Sequence, residues 1–108
     1  MYRVVISEPA EGDMQQAHDW WAENRSSKEA ALWFDQIMIT IDTLKEMPDR
    51  CPVSPLNDIA PADLHELHFG VSSRRTHRII FKIEENTVTI LRVRHHAQRE
   101  LPADDLSS

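Results

Sequence analysis

With 108 residues the chain has room for one domain, and at this length folding hides only about two-thirds of the surface that the unfolded chain exposes, so the core is small. Apolar residues at 41% and charged residues at 28% exclude the disordered, collagen-like and membrane-spanning classes. A formal charge of −6 argues against a protein that coats nucleic acid nonspecifically, because such binding rests on neutralising phosphates.

The opening MYRVVISEPAEGD reaches Glu8, Pro9 and Glu11 before any apolar run of signal-peptide length, which predicts a cytoplasmic protein. Within that opening, Tyr2 to Ile6 is rich in β-branched residues and reads as a short strand. Ser7 then offers a helix cap, with Pro9 in the first turn, where its missing N–H does no harm. Ala10, Met14, Ala17 and Trp21 recur at helical spacing. Trp20 falls beside this stripe and is the exposed aromatic available to a partner, whereas Trp21 belongs to the core.

Asn24 and Arg25 end the first helix, and Ser26 with Glu29 predicts the capping box of a second, antiparallel to the first. Its apolar stripe is Ala30, Phe34, Ile37, Ile41 and Leu44, widened by Trp33 and Met38. Residues 48–63 contain four prolines and no periodicity, so they read as an extended connection. The sole cysteine, Cys51, lies here between Arg50 and Pro52; it reads as a small loop residue, without a second thiol for a disulfide or a metal.

Leu64 to Phe69 (LHELHF) is a short strand candidate. Thr76 to Ile83 and Thr87 to His95 then predict a hairpin around a three-residue loop, Glu84-Glu85-Asn86, with Asn86 left-handed. This register sets Arg78 opposite Arg92 and gathers Ile79, Phe81, Ile83, Leu91 and Val93 on one apolar face. The other face would hold Arg78, Ile80, Lys82, Val88, Ile90, Arg92, Arg94 and, if the strand runs that far, His96. A two-residue loop would mix Arg92 and Arg94 into the apolar face, at a steep desolvation cost. Residues 73–99 hold Arg74, Arg75, Arg78, Lys82, Arg92, Arg94 and Arg99 against only Glu84 and Glu85, so the acids concentrate elsewhere. Residues 1–99 read as one domain and 100–108 as a C-terminal tail.

The order strand, helix, helix, proline-rich connection and three strands resembles the RelE/ParE toxin superfamily from about Tyr2 to Arg99, closer to its ParE-like members. VVISEPAEGDMQQAHDWW is similar to the family's first strand and helix, WFDQIMITIDTLKEMPDRCP to its second helix and turn, and THRIIFKIEENTVTILRVRHHAQR to its last hairpin. The resemblance implies an α+β fold with a mostly antiparallel sheet, an antiparallel helix pair packed on one face, and a concave functional face on the other.

It further implies the toxin of a type II toxin–antitoxin pair, inhibiting growth by binding DNA gyrase and neutralised by a cognate antitoxin. The alternative is a ribosome-dependent mRNA endoribonuclease. Arg78, Arg94 and His96 match that catalytic set, and Glu66 or His68 would supply a second acid or base. Guanidinium groups suit phosphate, and histidine exchanges protons near neutral pH. Against a nuclease, residues 46–81 contain no lysine, and Ala97 stands where such relatives often carry a tyrosine. As a binding face, Arg75, Arg78, Arg92, Arg94 and Trp20 are the candidates; otherwise Arg78 and Arg92 simply pair with acids on the sheet. No cofactor and no metal are expected, because strand alternation splits His65 from His68. A homodimer or a hetero-oligomer with the antitoxin is expected.

Overall fold

Ser7 is where the chain turns from strand to helix. In the computed structural model, which describes residues 1–55, 63–70 and 76–95, strand β1 (Arg3–Ile6) ends just before it and helix α1 (Glu8–Asn24) begins just after. The Ser7 hydroxyl oxygen accepts from the Ala10 amide at 3.3 Å, which satisfies one orphan donor of the first turn. Ser26 does the same for helix α2 (Ser27–Asp42), accepting from the Glu29 amide at 3.0 Å. The Glu29 carboxylate turns to Arg25 instead of closing a capping box.

Strands β2 (Leu64–Phe69), β3 (His77–Glu84) and β4 (Thr87–His95) complete a four-stranded sheet of order β1-β4-β3-β2. β1 runs parallel to β4, and the other neighbours are antiparallel. The helix pair covers one face, in the α+β arrangement that the element order implied. Ala10 and Met14 of α1, Trp33, Ile37 and Ile41 of α2, and Phe69, Ile79, Phe81, Val88, Ile90 and Val93 of the sheet form one buried cluster. The stripe of α2 runs through Trp33 rather than Phe34, which is half-buried, and Met38 is exposed. Cys51 lies in the loop as expected, yet it is 6% exposed, joins this cluster, and its carbonyl accepts from His65 Nδ1 at 2.8 Å. The adjoining segment covers the outer edge of β2, since Val53 bridges His65 and the Ser54 amide donates to the Leu64 carbonyl.

The hairpin differs from its expected register. Glu84 pairs with Thr87, so the loop has two residues, and Glu85 rather than Asn86 takes the left-handed conformation, with φ of 54°. Arg78 therefore lies opposite Arg94, and Ile80 opposite Arg92. The register shifts between Ile80 and Phe81, because Phe81 pairs with Ile90 and leaves Leu91 as the extra residue of a β-bulge. Without it a two-residue loop would set Arg92 against Ile79, facing the helices. With it Val93 takes that place. One disrupted rung is a smaller cost than a desolvated guanidinium. Val88 and Ile90 thus belong to the helix-facing cluster, whereas Leu91, although buried, does not.

β1 accompanies β4 only from Thr87 to Ile90, and no described strand lies beside 91–95 on that side. Helix α1 takes over. The Ser7 hydroxyl donates to the Leu91 carbonyl at 3.1 Å. Asp13 Oδ2 accepts from the Val93 amide at 2.9 Å, and the same carboxylate receives Arg92 Nε and Nη2 at 2.8 and 2.9 Å. Arg75, His96 and the tail 100–108 lie outside the described residues.

Breaking a largely buried ion pair costs more than a surface pair, because the surviving charge keeps its desolvation penalty. Asp13→Ala should lower unfolding stability by about 3 kcal/mol and Asp13→Asn, which keeps an acceptor for the Val93 amide, by less; urea titration measures both. Glu85→Gly should raise stability by about 0.5 to 1 kcal/mol, the left-handed strain relieved less the entropy of an added glycine. Burial pushes the Cys51 thiol up, partly offset by Arg50, so the protonated, unreactive form persists above neutrality. Alkylation at pH 8 should accordingly run about tenfold slower than in the urea-unfolded chain, as mass spectrometry would read.

Candidate functional site

Strand alternation sends Glu66 and His68 of β2, Arg78, Ile80 and Lys82 of β3, and Arg94 of β4 to the sheet face away from the helices. Register makes neighbours of them: Glu66 lies opposite Ile80, His68 opposite Arg78, and Arg78 opposite Arg94. Glu66 is the centre of the group and is only 3% exposed. A buried carboxylate needs partners, and Ser54 Oγ donates to its Oε2 at 2.6 Å. Arg78 Nη1 lies 3.5 Å from the same oxygen, and His68 Nε2 lies 3.6 Å from Oε1.

The face as described sets Arg78, Arg94 and Lys82 against Glu66 and Glu84, with Lys82 Nζ 2.9 Å from the Glu84 carboxylate. Two arginines opposed across neighbouring strands repel, and Glu66 beside them offsets that repulsion. The surplus is positive. Such a face attracts anions, whether phosphates or partner carboxylates, and the carboxylate and imidazole beside Arg78 could also exchange protons.

The face therefore unites Arg78, Arg94, Glu66 and His68 as the sequence suggested. Arg92 departs from it, because its guanidinium is held bidentately by Asp13 of α1, so it is a structural cation rather than an open binding group. Trp20 stands apart, on the helix layer, 54% exposed and packed edge-on against Trp21. His65 faces the core, where its ring stacks on Phe81, while His68 faces outward, so strand alternation separates them. Sequence reasoning missed Ser54 and Asp13. Both act across 12 or more residues of chain, and no local spacing marks such a pairing.

Among solved structures, the chain is similar to one from the chromosomal ParDE TA system from P. aeruginosa, with a TM-score of 0.70 and 16% identity over 88% of this chain and 96% of that one. No curated protein matches the sequence. A family model, described as the ParE toxin of the type II toxin-antitoxin system parDE, matches residues 4–100 and so takes in α1, α2 and, but for Arg3, the strands β1 to β4. The chain belongs to the ParE toxin family, and it is the toxin component of a type II toxin–antitoxin system.

Proposed function

We propose that the toxin inhibits growth by binding DNA gyrase through the outward face of its sheet, with no catalytic step of its own, and that a cognate antitoxin neutralises it in the cytoplasm. The observation that supports a binder is the internal occupation of its arginines. Arg78 is paired with Glu66, whose carboxylate is almost wholly buried, and Arg92 with Asp13. A phosphodiester in transit would have to displace these carboxylates at each turnover, whereas a protein partner can use the fixed charges where they stand. Arg94 and Arg75 complete the proposed contact, and the toxin forms a hetero-oligomer with its antitoxin.

One observation favours the second reading, an mRNA endoribonuclease. Glu66 and His68 lie beside Arg78, so a proton acceptor and a phosphate-binding group adjoin on one face. In that reading Arg78 and Arg94 hold the phosphate, with His96 as the further acid.

Parallel assays separate the two. On induction of the wild type, supercoiling by gyrase should fall while mRNA stays intact, and Arg78→Ala or Arg94→Ala should weaken inhibition about tenfold, the loss expected of one charge-assisted contact. Rapid cleavage of translated mRNA that disappears in His68→Ala or Arg78→Ala would instead establish the nuclease and overturn the gyrase reading.

A further inference from the structure

Every backbone group of a sheet needs a partner, and an edge strand is where one can be lacking. The outer edge of β2 is covered by Val53 and Ser54, and the part of β4 that β1 does not reach is served by Ser7 and Asp13. The outer edge of β1 is served only at its start, where the Tyr2 amide donates to the Lys45 carbonyl at 2.9 Å. Arg3 and Ser7 donate inward, to the carbonyls of Asn86 and Ile90, so alternation turns the amides and carbonyls of Val4 and Ile6 outward. Among the described residues, no backbone group of another element pairs with them. We propose that this edge pairs with itself: the β1 strands of two copies of the chain join antiparallel about a two-fold axis at Val5, making one eight-stranded sheet out of two four-stranded ones.

The outward-turned groups dictate the register. Val4 of each copy lies opposite Ile6 of the other, each pair exchanging two hydrogen bonds, and Val5 faces Val5 as the intervening pair without hydrogen bonds. Val4 and Ile6 pack their side chains against the helix-facing core, so Arg3 and Val5 point to the outward face. Val5 is 38% exposed there. Across the axis its side chain meets its own copy, with Cβ atoms about 5 Å apart, and each valine shields the other from water.

The length of the edge selects a second copy over a foreign strand. In this register the occupied Tyr2 amide falls opposite Glu8 of the second copy, where that chain has already turned into α1. Each strand thus stops where the other has no free group left. A longer extended segment would run on past Val4 into the Lys45 contact, with its own amides and carbonyls unmatched. Charge agrees with this choice. Arg3 is exposed and takes part in no ion pair among the described residues; the pairing sets it opposite Ser7 of the second copy, beside the acidic first turn that holds Glu8 and Glu11. Neither lysine nor proline, the usual blocks to edge pairing, occurs in Arg3–Ile6.

The axis stands perpendicular to the sheet, so the helix pairs of both copies lie on one side and both Arg78–Arg94 faces on the other. The contact therefore leaves the outward faces open and sets them side by side.

Four hydrogen bonds and one valine pair make a small interface, so sedimentation equilibrium of the full chain should show a monomer at about 1 µM and mostly dimer at about 500 µM. Val5→Glu, which opposes two carboxylates across the axis, should weaken the dimer more than about tenfold. Val4→Pro, which removes an outward amide and leaves the β4 ladder intact, should do the same. Circular dichroism and urea midpoints of both variants show whether the fold is kept. Val5→Cys needs no loss of binding: the Cα atoms of such a pair lie about 4.5 Å apart, within disulfide span, so mild oxidation should cross-link two chains. Leu32→Cys, at an exposed position of α2, should stay uncross-linked.

A monomer at 500 µM overturns the proposal. So does a dimer that Val5→Glu leaves unchanged and Val5→Cys does not cross-link, or one that cross-links through Leu32→Cys or dissolves with Trp20→Ala, since the contact is then on the helices. If the chain alone stays monomeric and Val5→Glu instead abolishes binding of the protein encoded beside it, the edge belongs to that partner and the proposal fails, while the toxin–antitoxin reading stands.

Discussion

The carboxylate of Asp13 fixes the relation between the helical layer and the sheet. β1 is too short to pair with the whole of β4, and the stretch beyond Ile90 would present bare backbone to solvent or to a neighbouring chain. Asp13 accepts the Val93 amide and clamps Arg92, while Ser7, the helix cap six residues earlier, donates to the Leu91 carbonyl. The first two turns of the helix and its cap thus stand in for the missing strand. Three charge-assisted hydrogen bonds on one carboxylate, each worth roughly 1.5 to 3 kcal/mol, are enough to set where α1 lies along β4.

That placement carries two consequences. The α1 residues that follow, Ala17, Trp20 and Trp21, are held beside the end of β4, where they line a groove with His77, Val93 and His95. Arg92 is withdrawn from the outward face, which leaves Arg78 and Arg94 as its cross-strand arginine pair. The bulge at Leu91 works with the clamp. It lets a tight turn coexist with a helix-facing Val93, and it falls next to the residues that α1 holds.

Local chemistry made much of this legible in the sequence. Ser7 and Ser26 announce both helix starts, the spacing of Ala30, Ile37 and Ile41 gives the buried side of α2, although Phe34 of the same stripe is only half-buried, and the run from Thr76 to Ile83 gives β3 to within one residue at each end. The hairpin shows the limit. Desolvation of the arginines correctly required Arg92 and Arg94 to stay off the helix-facing side, yet loop length and bulge are two solutions to that requirement and alternation alone does not choose between them. Glu85, with no special affinity for a left-handed turn, gave no signal of where the loop sat. At the site, the arginines and Glu66 stood out by charge. Their pairing did not, because Asp13 is 79 residues from Arg92 and Ser54 is 12 from Glu66.

The overall charge of −6 conceals a division of sign that matters more for recognition than its sum. Acids fill α1, whereas the described part of the outward sheet face has a positive surplus. Opposed patches of this kind orient an approaching partner and reject a wrong one before close contact is made. The internal carboxylates refine the effect. Glu66 reduces the field of Arg78, which weakens attraction at long range, but it also holds that guanidinium in place. A fixed guanidinium loses little conformational entropy when a partner docks, so the face offers fewer free charges but better-placed ones. Such a surface favours a partner whose acceptors match those positions over any polyanion, which is how the proposed binding role of this face fits an acidic chain.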